Sequence, residues 1–139
     1  MIRKMKSVAS PTPCELAVRV IIPSLRALVA KELIQTHSLK QQEVASILGV
    51  TQSAISQYVR SARGKTLNLS GVVTISSIIK ETAESISRDE VSAVYINTMY
   101  CRACKIIREN QLMCDLHRRF DPSFNSEGCK ACLPSNTIC

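Results

Sequence analysis

The chain has no tryptophan, and aromatic residues make up only 4% of its 139 residues. A platform of stacked aromatic rings for single-stranded nucleic acid is therefore not expected. Glycine and proline are also scarce, with four and five residues, which disfavours a turn-rich β-sandwich or barrel. With 45% hydrophobic and 21% charged residues, the composition supports a compact core, and the length allows one small domain with an appendage. We therefore expect an all-α protein.

The sequence shows no apolar run long enough for a signal peptide or a membrane span. The stretch from Leu16 to Ile22 is interrupted by Arg19 and stops at Pro23. We expect a cytoplasmic protein that does not bind membranes, and a basic amphipathic helix over residues 14–35 on a membrane surface is the weaker alternative. In the cytoplasm, seven cysteines indicate thiol or metal chemistry before a disulfide framework.

The positive charge is confined to one half of the chain, which has a formal net charge of +7. Residues 1–66 hold ten Lys or Arg and three acidic residues, whereas residues 67–139 hold eight of each. A polyanion would therefore be attracted to the first half and not to the second.

Composition and apolar periodicity divide the chain into four parts. These are a basic arm (1–12), a helical domain (13–66), a helical connector (67–100) and a cysteine-rich tail (101–139). Apolar positions recur at helical spacing from Cys14 to Thr36, where Pro23 should kink or split the helix. In the connector, the capping-box pattern from Ser87 to Glu90 predicts the start of a further helix.

The clearest local pattern runs from Gln41 to Arg60 and predicts two short helices joined by a tight turn. Gly49 suits a turn residue with positive φ, and Thr51 is a good N-cap for the second helix. The small Ala45 lets the two helices cross closely. We expect five apolar side chains to pack between them: Val44, Leu48, Val50, Ile55 and Tyr58.

The outward residues of this helix pair are polar and carry no negative charge. A pair of this kind places its second helix in the major groove of DNA. Gln pairs with an adenine edge, Ser bonds to base or phosphate, and a side-chain amide opening the first helix can hold a phosphate. We expect contacts to double-stranded DNA from Gln41, Thr51, Gln52, Ser53, Ser56, Gln57, Arg60, Arg63 and Lys65.

The same segment is similar to a known family. The residues that carry this likeness are Gln41, Val44, Ala45, Leu48, Gly49, Val50, Thr51, Gln52, Ser53, Ile55 and Ser56. They resemble the lambda-repressor-like (XRE-type) helix-turn-helix family over about residues 14–66. The resemblance implies base contacts from Gln52 and Ser53 and a phosphate contact from Gln41, which also buttresses Gln52. Together with Pro13-Cys14-Glu15 and the cysteine-rich tail, the chain looks like a group of small predicted transcription regulators described chiefly from archaea.

The tail contains two C-x-x-C pairs with a further cysteine between them. Two such pairs match the ligand count of a tetrahedral four-thiolate zinc site, because each C-x-x-C turn brings two sulfurs to one ion. Thiolates also suit iron–sulfur clusters, and the surplus of ligands leaves such a cluster or a thiol redox switch open. We expect one metal centre, with zinc favoured over an iron–sulfur cluster. The candidate ligands are Cys101, Cys104, Cys114, Cys129 and Cys132.

Three other residues near these motifs are expected to lie outside the metal site. Cys14 is predicted to be a buried helix residue, His117 a polar surface residue, and Cys139 a spare thiol at the end of the sequence. Since the tail holds few apolar residues, we expect it to depend on its ion for folding.

These observations predict a sequence-specific DNA-binding transcription regulator. A homodimer is expected because one reading helix covers only a short site, and the apolar stripe over residues 72–86 would form either the dimer interface or intramolecular core. The metal tail would brace the dimer or report iron or redox state. The alternative is a metal-dependent protein-interaction adaptor without a DNA-reading role, against which the one-sided charge argues.

An enzyme is not expected from this sequence. A thiol oxidoreductase at Cys101 and Cys104 would need a β-rich scaffold, and no carboxylate–His–nucleophile set stands out. No small-molecule substrate is inferred.

Overall fold

The computed structural model describes residues 10–60, 69, 72–125 and 127–132. All regular secondary structure in these ranges is helical, which confirms the expected all-α class. The elements are α1 (Pro13–Leu16), a π-helical turn (Ala17–Ile21), α2 (Ile22–Gln35), α3 (Gln41–Leu48), α4 (Gln52–Arg60), α5 (Val73–Ser87), α6 (Ala93–Glu109) and α7 (Met113–Phe120). In the described part of the chain, no helix is both long enough and apolar enough to cross a bilayer. Most of the basic arm, Arg63, Lys65 and Cys139 lie outside the described residues.

Helices α1 and α2 are joined by the π-helical turn into one continuous helical segment. Pro23, which has no N–H, lies in the first turn of α2, where a missing donor is tolerated. The Ile22 N–H donates to the carbonyl oxygen of Ala17, which widens the turn. Leu16 and Ile21 are both fully buried, although residues five apart would face about 140° apart on a regular α-helix. The expected kink or split at Pro23 is replaced by a wider turn just before it, at Ala17–Ile21, and the chain stays helical through Pro23.

Helix α2 is the centre of the hydrophobic core and packs against α3, α4, α5 and α6. It supplies fully buried side chains at four-residue spacing, namely Leu25, Val29 and Leu33. Helix α5 covers one side of α2, with Ile75 and Ile79 buried between them. The apolar stripe over residues 72–86 therefore packs within the chain.

The predicted helix start at Ser87 is wrong, because α5 ends there. The Ser87 hydroxyl donates to the carbonyl oxygen of Glu84 at 2.7 Å, a local bond that satisfies the end of a helix rather than its beginning. The next helix begins at Ala93, and Ser92 is its N-cap, with its hydroxyl oxygen accepting the Tyr95 N–H at 3.2 Å.

Candidate nucleic-acid interface and cysteine-lined cavity

Helices α3 and α4 are joined by the short turn that the sequence predicts. Gly49 has φ +66°, in the left-handed region, and the N–H of Val50 closes the turn on the carbonyl oxygen of Ala45 at 3.0 Å. The Thr51 hydroxyl oxygen accepts the Ala54 N–H at 3.1 Å, so Thr51 caps α4. The glycine turn and the N-cap are both confirmed.

The inner faces of these two helices pack on α2 and on each other. Val44 and Ile55 are fully buried, and Ala45 is buried beside them. Leu48, Val50 and Tyr58 are half-buried against the same core. The packing predicted for this helix pair is thus present, and it fixes which face of α4 points to solvent.

The outer face of α4 carries the predicted DNA-contacting side chains. Gln52, Ser53, Gln57 and Arg60 are exposed, and Ser56 is half-buried. Their spacing of three or four residues places them on one side of the helix, and α4 contains no acidic residue in its first turn and a basic one in its last. A helix is about 10–12 Å across, which fits a major groove about 12 Å wide.

The predicted phosphate contact, Gln41, lies at the amino end of α3. Gln41 is its first residue and is half-buried, while the preceding Lys40 is exposed. The Glu43 carboxylate accepts the Lys40 backbone N–H at 2.8 Å and so caps this helix end.

Cys101 and Cys104 lie inside helix α6 and not in the C-x-x-C turn expected from the sequence. Ala103 and Ile107 are buried at helical spacing and hold this stretch helical against the core. Cys101 is exposed, and Cys104 is half-buried against the core.

The other three predicted ligands line one cavity of about 100 Å³ at the carboxyl-terminal end of the described chain, together with His117. We call this the cysteine-lined cavity. Cys114 lies in α7, whereas Cys129 and Cys132 lie in the following turn region. Its wall is completed by Pro13, Gln111, Met113, Phe124 and Ala131. Among the described residues, no three His, Cys, Asp or Glu side chains stand close enough together to hold an ion as they are placed.

The Cys114 thiol is influenced electrostatically by the other two thiols of the cavity. Burial raises the pKa of the Cys114 thiol, the neighbouring Cys132 and Cys129 raise it further, and Arg118 opposes them. The three sulfur atoms therefore share one local environment although they come from separate parts of the sequence.

His117 is buried, with 8% of its surface exposed, so its prediction as a surface residue is wrong. Its Nε2 is hydrogen-bonded to the Ser10 hydroxyl at 2.9 Å, and its ring stacks on Phe124 at 3.8 Å between centroids. The reason is the packing of α7 on α1, with Met113 and Leu116 in the common core. The spacing of Met113, Leu116 and His117 is the signal that sequence reasoning missed.

Cys14 also differs from its prediction, because it is exposed and not buried. On this first turn Leu16 is the residue that faces the core.

Asp121 supports the histidine through Ser10. Hydrogen bonds from Ser123 and Ser10 hold the pKa of the Asp121 carboxyl below its usual range, and His117 adds a smaller effect. Ser10 therefore joins an acidic side chain to the imidazole ring, as groups around a metal-binding histidine commonly do.

Comparisons with known proteins give no relative from which a role can be carried over: no family model matches this chain, and neither do curated proteins or solved structures.

Proposed function

We propose that this chain is a sequence-specific DNA-binding transcription regulator in which α4 reads the major groove. The observation that carries the proposal is the shared face of α4, where Gln52, Ser53, Gln57 and Arg60 are exposed and no acidic side chain intervenes. Amides and hydroxyls without a competing carboxylate suit base edges and phosphates. The likeness of Gln41 to Ser56 to the XRE-type helix-turn-helix family supports the same assignment.

Charge supports DNA as the partner. Lys40 is exposed at the amino end of α3, and Arg60 is exposed at the carboxyl end of α4. These two positive charges lie at the two ends of the helix pair in the sequence and suit contacts to the phosphate backbone. The net charge of +7 belongs to the half of the sequence that contains this helix pair. We place the protein in the cytoplasm and propose that it acts as a homodimer, since a second reading helix lengthens the recognised site.

The cysteine residues supply the second half of the proposal, a single metal centre that holds zinc or an iron–sulfur cluster. Its place near α1, at the start of the helical segment that continues into α2, suits a brace for the DNA-reading domain. Removal of the metal would then loosen α7 and alter DNA binding indirectly.

The test of DNA reading begins with selection of duplexes from a randomised pool by the full-length protein. Affinities for the selected and a scrambled duplex are then measured at several salt concentrations. Gln52→Ala is expected to reduce the discrimination between the two duplexes by about 1–3 kcal/mol. Arg60→Ala is expected to weaken both and to reduce the salt slope by about one.

The matched controls are Asn97→Ala and Arg102→Ala, because both residues are exposed on α6. They remove an amide and a positive charge from the opposite half of the sequence. If the pool yields no enriched sequence, or if the controls weaken binding as much as the α4 variants, the proposal is overturned. If the protein bound no duplex at any of the salt concentrations, the adaptor alternative would be favoured.

A further inference from the structure

We propose that Cys114, His117, Cys129 and Cys132 form a tetrahedral zinc site and that Cys101 is no part of it. This inference rests on the metal-binding half of the proposed function and is independent of DNA reading. It replaces the four thiolates of two C-x-x-C pairs by three thiolates and one imidazole, a donor set that structural zinc takes.

The first argument is placement. Cys114 and His117 are three residues apart on α7, so both side chains leave the same face of one helix. Cys129 and Cys132 also line the cavity onto which that face opens. Four donors of the types that zinc prefers therefore surround one small space, whereas Cys101 is exposed on α6 and absent from its wall.

The second argument is the state of His117. A buried imidazole needs partners, and this one stacks on Phe124 and bonds through Nε2 to Ser10. Nε2 is thus engaged, which leaves Nδ1 for a metal. A metal-binding histidine commonly uses its other ring nitrogen for a hydrogen bond to an outer partner, which fixes the orientation of the ring. Here Ser10 is that partner, and Ser10 is in turn hydrogen-bonded to Asp121.

The third argument concerns how the site closes. The donors are not yet within coordination distance of a common point in the described residues. The described residues after α7, 121–125 and 127–132, contain turns and no helix or strand. They are held by close-range bonds such as that from the Ser123 N–H to Asp121 at 3.1 Å and that from the Glu127 N–H to Asn125 at 2.9 Å. Gly128, with φ +75°, precedes Cys129. Zinc would draw this turn region onto α7, since metal binding and local folding are coupled.

Three thiolates and one imidazole also favour zinc over an iron–sulfur cluster. Such clusters are held by cysteine thiolates in most proteins, whereas one of the four donors that line this cavity is an imidazole.

The experiment uses full-length protein purified without oxygen, with metal content, visible absorption and Zn²⁺ affinity measured by chelator competition. Wild type and Cys101→Ser are expected to be colourless and to bind one Zn²⁺ with equal affinity. Cys114→Ser, Cys132→Ser and His117→Gln are expected to lose more than about 100-fold in affinity, and Ser10→Ala about 10–100-fold. Far-UV circular dichroism shows that each variant remains helical, and Cys132→Ser, at the edge of the fold, serves if Cys114→Ser unfolds.

A second readout maps the thiols directly by alkylation and mass spectrometry. With Zn²⁺ bound, Cys114, Cys129 and Cys132 should be protected, whereas the exposed Cys14 and Cys101 should react. A brown protein that contains iron and sulfide, loss of zinc in Cys101→Ser, unchanged affinity in His117→Gln, or absence of bound metal would each overturn the site. Duplex binding measured on the same samples separates this failure from failure of DNA reading.

Discussion

Helices α4 and α7 are similar in length, but their candidate functional side chains lie on the exposed face of α4 and on the buried face of α7. Helix α4 buries Ile55 and exposes its amides and hydroxyls, whereas α7 buries His117 and turns it with Cys114 toward a cavity. The first arrangement offers a wide surface to a large partner, and the second encloses a small one. The same all-α scaffold thus presents two candidate sites of different kinds, one on an exposed helix face and one around a cavity.

Both regions are attached to one continuous helical segment. Helix α4 packs on α2, and α7 packs on α1. Their buried side chains belong to a single hydrophobic cluster. We therefore expect the two regions to share one unfolding transition while their ligands respond to different substitutions.

The largest expected effect tests how α4 is held. Ile55→Ala should lower the free energy of unfolding by about 2–5 kcal/mol, because Ile55 is 0% exposed between α4 and the core. The measurement is urea denaturation followed by circular dichroism. Ile47→Ala is the matched control, since Ile47 is 39% exposed on α3, and an equal loss in both variants would contradict this packing.

The next prediction concerns Tyr100 of α6, whose ring lies near Arg26 of α2 and Tyr58 of α4. Burial raises the pKa of Tyr100 to about 12, from about 10 in the unfolded chain. The folded state favours the neutral phenol of Tyr100, and this preference adds to the free energy of unfolding. The added stability is complete below pH about 10 and is lost as the pH rises to about 12, by about 3 kcal/mol in total.

Tyr100→Phe should remove this alkaline loss. The difference between the wild-type and variant unfolding free energies, measured by urea denaturation from pH 8 to about 12, should therefore be flat below pH about 10 and change above it. At neutral pH the variant should cost little, because among the described residues the hydroxyl is buried without a hydrogen-bond partner. Parallel curves across the whole range would rule out the assignment.

Substitutions at two glycines, one next to α4 and one next to the cysteine-lined cavity, test whether the two regions respond separately. Gly49 and Gly128 both have positive φ, and an added Cβ at either would meet no atom within 4 Å. Gly49→Ala should therefore cost about 1–2 kcal/mol of stability through backbone strain alone, and Gly49→Asn should cost less.

Gly128→Ala carries the same kind of strain, but its turn is at the edge of the fold. It should weaken Zn²⁺ binding, as chelator competition would show. With Zn²⁺ in excess, so that the site is still filled, it should leave α4 and duplex binding unchanged, as duplex titration on the same preparation would show. Reduced duplex affinity in Gly128→Ala would mean that the two regions are more tightly coupled than their separate attachments indicate.

The smallest expected effect concerns Asp121 at acid pH. Its lowered pKa means that its carboxylate stabilises the fold above the unfolded pKa of about 3.9 and that this is lost as the pH falls through the lower folded value. Asp121→Asn should make the acid limb of stability shallower, as thermal unfolding from pH 2 to about 5 would show. An unchanged acid limb would exclude the bonds from Ser10 and Ser123 as contributors.

The sequence predicts the α3–α4 pair well because its signals are local. A left-handed glycine, a capping threonine and the spacing of Val44, Ile55 and Tyr58 all act within twenty residues. These local features predict the turn and the apolar face of each helix, and packing on α2 then leaves the opposite face of α4 exposed.

The cavity is harder to predict because it depends on distant contacts. The bond between Ser10 and His117 joins residues 107 positions apart, and the packing of α7 on α1 and the stacking of Phe124 bury the ring. Cys101 illustrates the converse: its C-x-x-C spacing suggests a turn, but the buried neighbours Ala103 and Ile107 keep it helical.

The π-helical turn lies between α1, on which α7 packs, and α2, on which α4 packs. Its width therefore affects how the proposed metal site and the proposed reading helix are rotated relative to each other. It lets Leu16 and Ile21 share one face at a spacing of five. One residue fewer would restore an ordinary four-residue spacing, so a deletion within residues 17–21 is tolerable. One residue more would turn everything beyond it by about 100°. A single inserted residue in this turn would therefore rotate the proposed reading helix relative to the proposed metal site. No residue of either site would have changed.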